Sequence, residues 1–232
     1  MIMKNALLLM LLLLNLGVLS ADHGSVVCIH GFTRSYRSML PMGNKLENEG
    51  FEVYLWDYQS RKETIETHAE NLVDVLRTIA LKKPGEPIHF VTHSVGGIIT
   101  KTALNHPDCP EEAKIGRAVL LAPPAQGSCA ARAIAHLSPA RLFFGKRTGK
   151  QLLTYTPEQM HALGDFPPSV TVLVVSGVKG NNFLFRSPND GKVTIHETVL
   201  STPHHRATFF VSHRWIMTSR QVIEVTKNFL IQ

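Results

Sequence analysis

Short, near-continuous apolar runs alternate along the chain with segments whose apolar residues return every third or fourth position. The runs are SVVCIHGF (25–32), FEVYLWDY (51–58), PIHFVTHS (87–94), RAVLLAPP (117–124) and SVTVLVVSG (169–177), the last being the most continuous. Strands without a polar alternate face belong to a parallel sheet covered on both sides. Two further strands are expected, one starting at Lys192 and one in ATFFVS just before His213. Between the runs, Ile65, Ala69, Leu72, Val73, Leu76 and Ile79 follow the helical period over 64–81. A second helix is expected over 95–105, directly after Ser94. A third over 215–230 carries Ile216, Val222, Ile223, Val225 and Phe229. Strand–helix alternation predicts an α/β doubly wound architecture with right-handed crossovers, filling one domain over 22–232. Residues 125–168 break the rhythm. They hold no strand signal, only CAARAIAHL, RLFFGKRTGK and TPEQMHALGDFPP. Such a stretch is either a lid inserted at a cleft or a long crossover connection, and the pattern leaves both open.

Composition narrows the class. At 232 residues, 44% hydrophobic and 18% charged, the chain buries a sizeable core and is not disordered. Its net charge of +6 is a weak pull toward anionic surfaces. The basic residues are scattered except in RLFFGKRTGK (141–150) and at Lys82 and Lys83, and no nucleic-acid motif accompanies them, so no nucleic-acid partner is expected. The first 21 residues differ in kind. Lys4 precedes a leucine-rich run too short to span a bilayer comfortably, and Ser20 and Ala21 follow it. This is the pattern of a signal peptide cut after Ser20 or Ala21. It implies export, or a membrane anchor if the segment is retained. Of three cysteines, Cys28 reads as a buried hydrophobe, and Cys109 and Cys129 are free to pair in an oxidising compartment. No C-x-x-C occurs, so neither a metal site nor a redox motif is expected.

Chemistry concentrates at strand ends. HFVTHSVGG carries Ser94 at the junction of a strand and a helix, where a sharp turn lifts the hydroxyl above the sheet. Gly96 stands two residues after it, as close strand–helix approach requires, but Thr92 occupies the place where glycine is usual. At the end of the first strand, CIHGF offers the Phe32 amide as a partner to that of Val95 in an oxyanion hole. Val95 also opens a helix, whose N-terminus favours negative charge. His30 and Gly31 read as loop support. Asp190 sits in Asn-Asp-Gly, ordinarily only a turn signal, with Glu197 and Asp165 as rival carboxylates less well placed. His213 follows the last strand-like run, whereas His204 and His205 follow Pro203 in a loop. A serine hydroxyl needs an imidazole to take its proton and a carboxylate to orient that imidazole, and the order Ser94, Asp190, His213 satisfies this.

These residues together resemble the α/β-hydrolase superfamily, and within it the lipase and esterase-like members with HGF and HSxGG. THSVGG, LLAPPAQGS, NDGKVTIHET and the histidine of VSHRWIM stand in the order of that group, over roughly residues 25–230. Thr92 departs mildly from the pattern. The resemblance implies Ser94 as nucleophile, Asp190 as acid, His213 as base, the Phe32 and Val95 amides as oxyanion donors, and His30, Gly31, His93 and Gly96 as support. It implies ester hydrolysis without metal or cofactor, a small cap or none, and a small-molecule or lipid ester as substrate. Acyl transfer, thioester or amide chemistry on the same triad, or a non-catalytic membrane-associated role, stay open. Leu142, Phe143, Phe144, Lys146 and Arg147 form either a lip for acyl chains and a membrane surface or an ordinary loop.

Overall fold

In the computed structural model, which describes residues 23–180 and 187–232, the apolar runs divide their side chains between two layers. Strand β1 (Ser25–Ile29) is buried throughout: Val27 and Ile29 point into one core, Val26 and Cys28 into the other. The same alternation continues through β3 (Ile88–His93), β4 (Arg117–Leu121) and β5 (Thr171–Gly177). This is what continuous apolar strands need, because each has no face to give to water. With β2 (Glu52–Trp56) and β6 (His205–Phe209) they form a parallel sheet in the order β2-β1-β3-β4-β5-β6. One face is covered by α2 (Ile65–Lys82) and α3 (Val95–Leu104), the other by α1 (Leu40–Asn48) and α8 (Arg220–Ile231). The stripe Ile65, Ala69, Leu72, Val73, Leu76 and Ile79 is fully or almost fully buried, as its spacing predicts. Thr64 starts that helix by accepting a hydrogen bond from the Thr67 amide through its side chain.

The chain leaves β1 toward β2 on one side, then crosses back to add β3 on the other. Connections diverge there, so a crevice opens above the C-terminal ends of β1 and β3, where ligands bind in open parallel sheets. Residues 125–168 fill the gap between β4 and β5 with four short helices: α4 (Cys129–Ile134), α5 (Ser138–Phe144), α6 (Thr148–Thr154) and α7 (Pro157–Ala162). They are both the crossover and a small cap.

Several expectations change. No strand starts at Lys192: residues 192–200 form turns, with one isolated bridge between Asn189 and Thr194. The alternation there reflects a tight turn whose Thr194 and Glu197 side chains bond backbone amides. His205 is the first residue of β6 rather than part of a loop. The last helix starts at Arg220, after a 3-10 turn over Ile216–Thr218. All three cysteines are free. Cys109 lies buried before β4 and Cys129 exposed after it, and the two are not joined. The segment read as a signal peptide lies outside the described residues. No helix among the described residues is long and apolar enough to cross a membrane.

Candidate active site

Ser94 leaves β3 in a conformation rare for a residue with a side chain, φ 55° and ψ −124°. Its amide still donates to Leu121 O at 2.8 Å, and its carbonyl already accepts from the Gly97 amide at 3.0 Å. One residue therefore ends the sheet ladder and begins α3. Thr33 and Ala122 also have positive φ, at 57° and 50°. These three follow β1, β3 and β4 at the same edge of the sheet. Each such backbone costs about 1–3 kcal/mol, and strain of this kind gathers at functional sites.

The close approach of α3 to β1 explains the glycines. A Cβ on Gly96 would lie 2.9 Å from Ile29 O and 3.0 Å from His30 O, both backbone atoms that have little room to yield. The Thr92 departure is accommodated one turn away. Thr92 is fully buried, and a Cβ on Gly97 would stand 3.1 Å from its Oγ1. Gly97 provides the room that glycine at position 92 would otherwise give. Gly31 lies so close to His93 that a side chain there would strike its ring.

Asp190 serves the turn and the site at once. Its Oδ1 accepts from the amides of Lys192 (2.9 Å) and Val193 (2.8 Å), and its Oδ2 faces His213 Nδ1 at 2.6 Å. The His213 amide donates to Asp190 O at 2.9 Å, so backbone and side chain lock the pair together. Both residues are buried. Behind them, His93 Nε2 lies 3.1 Å from His213 O, with the two rings 4.8 Å apart. Burial, then the His213 charge, holds His93 well below the ordinary imidazole range, so its neutral ring donates from Nε2. His213 thus spends Nδ1 on Asp190 and keeps Nε2 for the cleft that it lines.

The rivals are placed elsewhere. Glu197 is buried, but its Oε2 accepts from Thr194 N (2.8 Å) and Thr194 Oγ1 (3.1 Å), and its Oε1 from the Cys129 amide. It staples α4 to the Asp190 turn. Asp165 lies on the surface with Ser201. His30 is fully buried and supports the loop. Its Nδ1 donates to Gly31 O at 2.9 Å, its Nε2 accepts from Tyr58 N at 3.3 Å, and its ring stacks on Tyr58. Burial keeps it neutral by lowering its pKa against the partly opposing Gly31 bond. Thr33 N donates to Ser60 Oγ at 2.9 Å, fixing the loop that carries Phe32. The amides of Phe32 and Val95 have no backbone partner among the described residues.

Ser94 and His213 line a cleft of about 310 Å³. Phe32, Ile134, Phe143, Phe144 and Leu152 make its walls apolar, while Arg34 and Lys192 also line it. Those two cations were missed by the sequence reading; their only signal was adjacency to HGF and to Asn-Asp-Gly. Most of the apolar wall comes from the cap: Phe143 and Phe144 of the lip expected in RLFFGKRTGK line the cleft, whereas no motif marks Ile134 or Leu152.

A family model described as serine aminopeptidase, S33 matches residues 20–163. No curated protein matches the sequence. Among solved structures, a lipase of Bacillus licheniformis in its mature form is similar at 18% identity and a TM-score of 0.73, over 90% of this chain and 93% of that one. Phospholipase PlaB from Legionella pneumophila has 17% identity and a TM-score of 0.66, over 90% of this chain and 62% of that one. Est1E from Butyrivibrio proteoclasticus, with ferulic acid bound, has 18% identity and a TM-score of 0.59, over 90% and 86%.

Proposed function

The chain belongs to the serine aminopeptidase, S33 family, within the α/β-hydrolase superfamily, and from that premise we propose that it hydrolyses carboxylic esters through Ser94, His213 and Asp190. The observation that carries the reading is the buried His213 Nδ1 to Asp190 Oδ2 contact of 2.6 Å beside a strained Ser94 in the same cleft. Ser94 Oγ attacks the ester carbonyl while His213 Nε2 takes its proton. Asp190 holds the imidazole in the tautomer that leaves Nε2 free to accept, and stabilises the imidazolium. The tetrahedral oxyanion is held by the Phe32 and Val95 amides, the second at the N-terminus of α3. His213 then protonates the departing alcohol, and water repeats the sequence to release the acid. No step calls on a metal or cofactor.

An ester is favoured over an N-terminal peptide by the charge of the cleft. An aminopeptidase holds a cationic α-amino group, which calls for a carboxylate. The described residues lining the cleft offer Arg34 and Lys192 and no carboxylate. The apolar walls suit an acyl chain, and the solved lipases and esterases of similar fold agree in reaction class.

The test is hydrolysis of p-nitrophenyl esters from acetyl to palmitoyl, beside Ser94→Ala. Turnover that disappears in the variant is expected, with the chain-length optimum measuring the acyl subsite. Wild-type turnover in Ser94→Ala would remove Ser94 as nucleophile. Absence of turnover in a folded wild-type protein would redirect the reading to acyl transfer or to binding.

A further inference from the structure

The outer side of the cap carries large apolar side chains that nothing covers among the described residues. Leu142 is 81% exposed, Phe143 56% and Leu137 45%. The backbone that carries them is tied down. Arg61 Nη2 donates to Leu142 O at 3.1 Å, Arg141 Nε donates to Ala135 O at 2.8 Å, and Phe144 on the inner side of α5 stacks on Phe32 at 5.5 Å. Around them Arg141, Lys146, Arg147 and Lys150 are exposed and have no ion-pair partner among the described residues. The sequence has no aspartate or glutamate between Glu112 and Glu158. Exposed apolar area costs about 25 cal/mol per Å², and these cations lack an acidic neighbour along this stretch of the sequence, so one occupant suits both if it is apolar inside and anionic outside.

We propose that this face of α5 is the surface by which the protein docks on an anionic lipid layer, with Leu137, Leu142 and Phe143 entering the interface and Arg141, Lys146 and Arg147 meeting the headgroups. A patch of three apolar side chains is small beside the roughly 800 Å² per partner of a stable protein interface, whereas a lipid layer needs no matching shape. The patch is also continuous with the cleft, since Phe143 and Phe144 line it. An acyl chain leaving the layer reaches Ser94 along an apolar path. That delivery role rests on the ester reading above; the docking itself does not.

The experiment uses the full chain with Ser94→Ala, so that docking is measured without turnover. An environment-sensitive NBD label is placed on Leu142→Cys in a Cys129→Ser background, Cys28 and Cys109 being buried. Vesicles of phosphatidylcholine are compared with vesicles that also contain phosphatidylglycerol. A blue shift of the label on the anionic vesicles, reversed by high salt, is expected. Lys146→Gln and Arg147→Gln should each weaken partitioning about fivefold. Anionic vesicles that leave the label unshifted, whether or not they bind the protein, would overturn the proposal. So would an equal shift on neutral vesicles, or a shift that grows with protein concentration alone, which would identify a second copy as the occupant. Ester hydrolysis is read separately on the wild type, so failure of one reading is visible without failure of the other.

Discussion

Asp190 illustrates how much a single side chain decides. One carboxylate oxygen closes the Asn-Asp-Gly turn and the other meets His213. The turn reading and the catalytic reading of this residue are therefore the same geometry. Asp190→Asn keeps an acceptor for the turn but disturbs the tautomer of His213, and a loss of kcat of about 10⁴ is expected, as for the equivalent change in a serine protease. Glu197→Gln is the control. Its carboxylate accepts from Thr194 and Cys129 and does not reach His213, so steady-state assays should find kcat within a few-fold of wild type. Thermal unfolding should register about 1–3 kcal/mol of lost stability, because a buried amide is left facing the wrong group. A collapse of kcat in Glu197→Gln would exchange the two roles.

At the level of elements, the cap is held to the sheet domain by buried polar contacts as well as by the apolar packing of Leu152, Met160 and Phe166 against the core. Gln151 of α6 is buried. Its Oε1 accepts from the Ile65 amide at 2.7 Å, capping α2, and its Nε2 donates to Glu66 Oε2 at 2.6 Å and Tyr155 Oη at 2.8 Å. Thr148 adds a backbone and a side-chain bond to Glu63 O. Gln151→Leu leaves the Ile65 amide and Tyr155 without these partners. A loss of about 1–3 kcal/mol is expected, with faster amide exchange in α6 and an altered KM, since Leu152 beside it lines the cleft. Unchanged exchange in α6 would show that the clasp does not hold the cap. The helix of residues 64–81 was legible because its apolar stripe faces one layer throughout. The turns of 192–200 were not, because side-chain bonds to backbone imitate strand alternation.

For the molecule as a whole, pH acts through buried imidazoles. Burial lowers the pKa of His30, His68, His89 and His93, and moves His89 from 6.5 to about 4, with the Arg117 charge adding to the effect. Their unfolded values are higher, so the unfolded chain binds more protons as pH falls below about 6.5. Stability from these groups is complete above that value and lost as pH falls toward their folded values. At about 1.4 kcal/mol per unit, His89 alone contributes on the order of 3 kcal/mol. Urea midpoints should fall steadily from pH 7 to pH 4, and a flat profile from pH 7 to pH 5 would contradict the burial of these rings.

Local patterning by itself determined the parallel α/β architecture, the Ser94 junction, and the order of Ser94, Asp190 and His213. Those features follow from periodicity, turn chemistry and chain order, all of which are short-range. Only the tertiary structure decided that Asp190 rather than Glu197 meets His213, that Gly97 makes room for Thr92, and that residues 125–168 form the wall of the cleft. It also decided that Arg34 and Lys192 share the cleft with Ser94, and that Leu142 and Phe143 stay outside the core. Each of these depends on which distant segments arrive at the C-terminal edge of the sheet. An isolated run of residues carries no record of its neighbours in space.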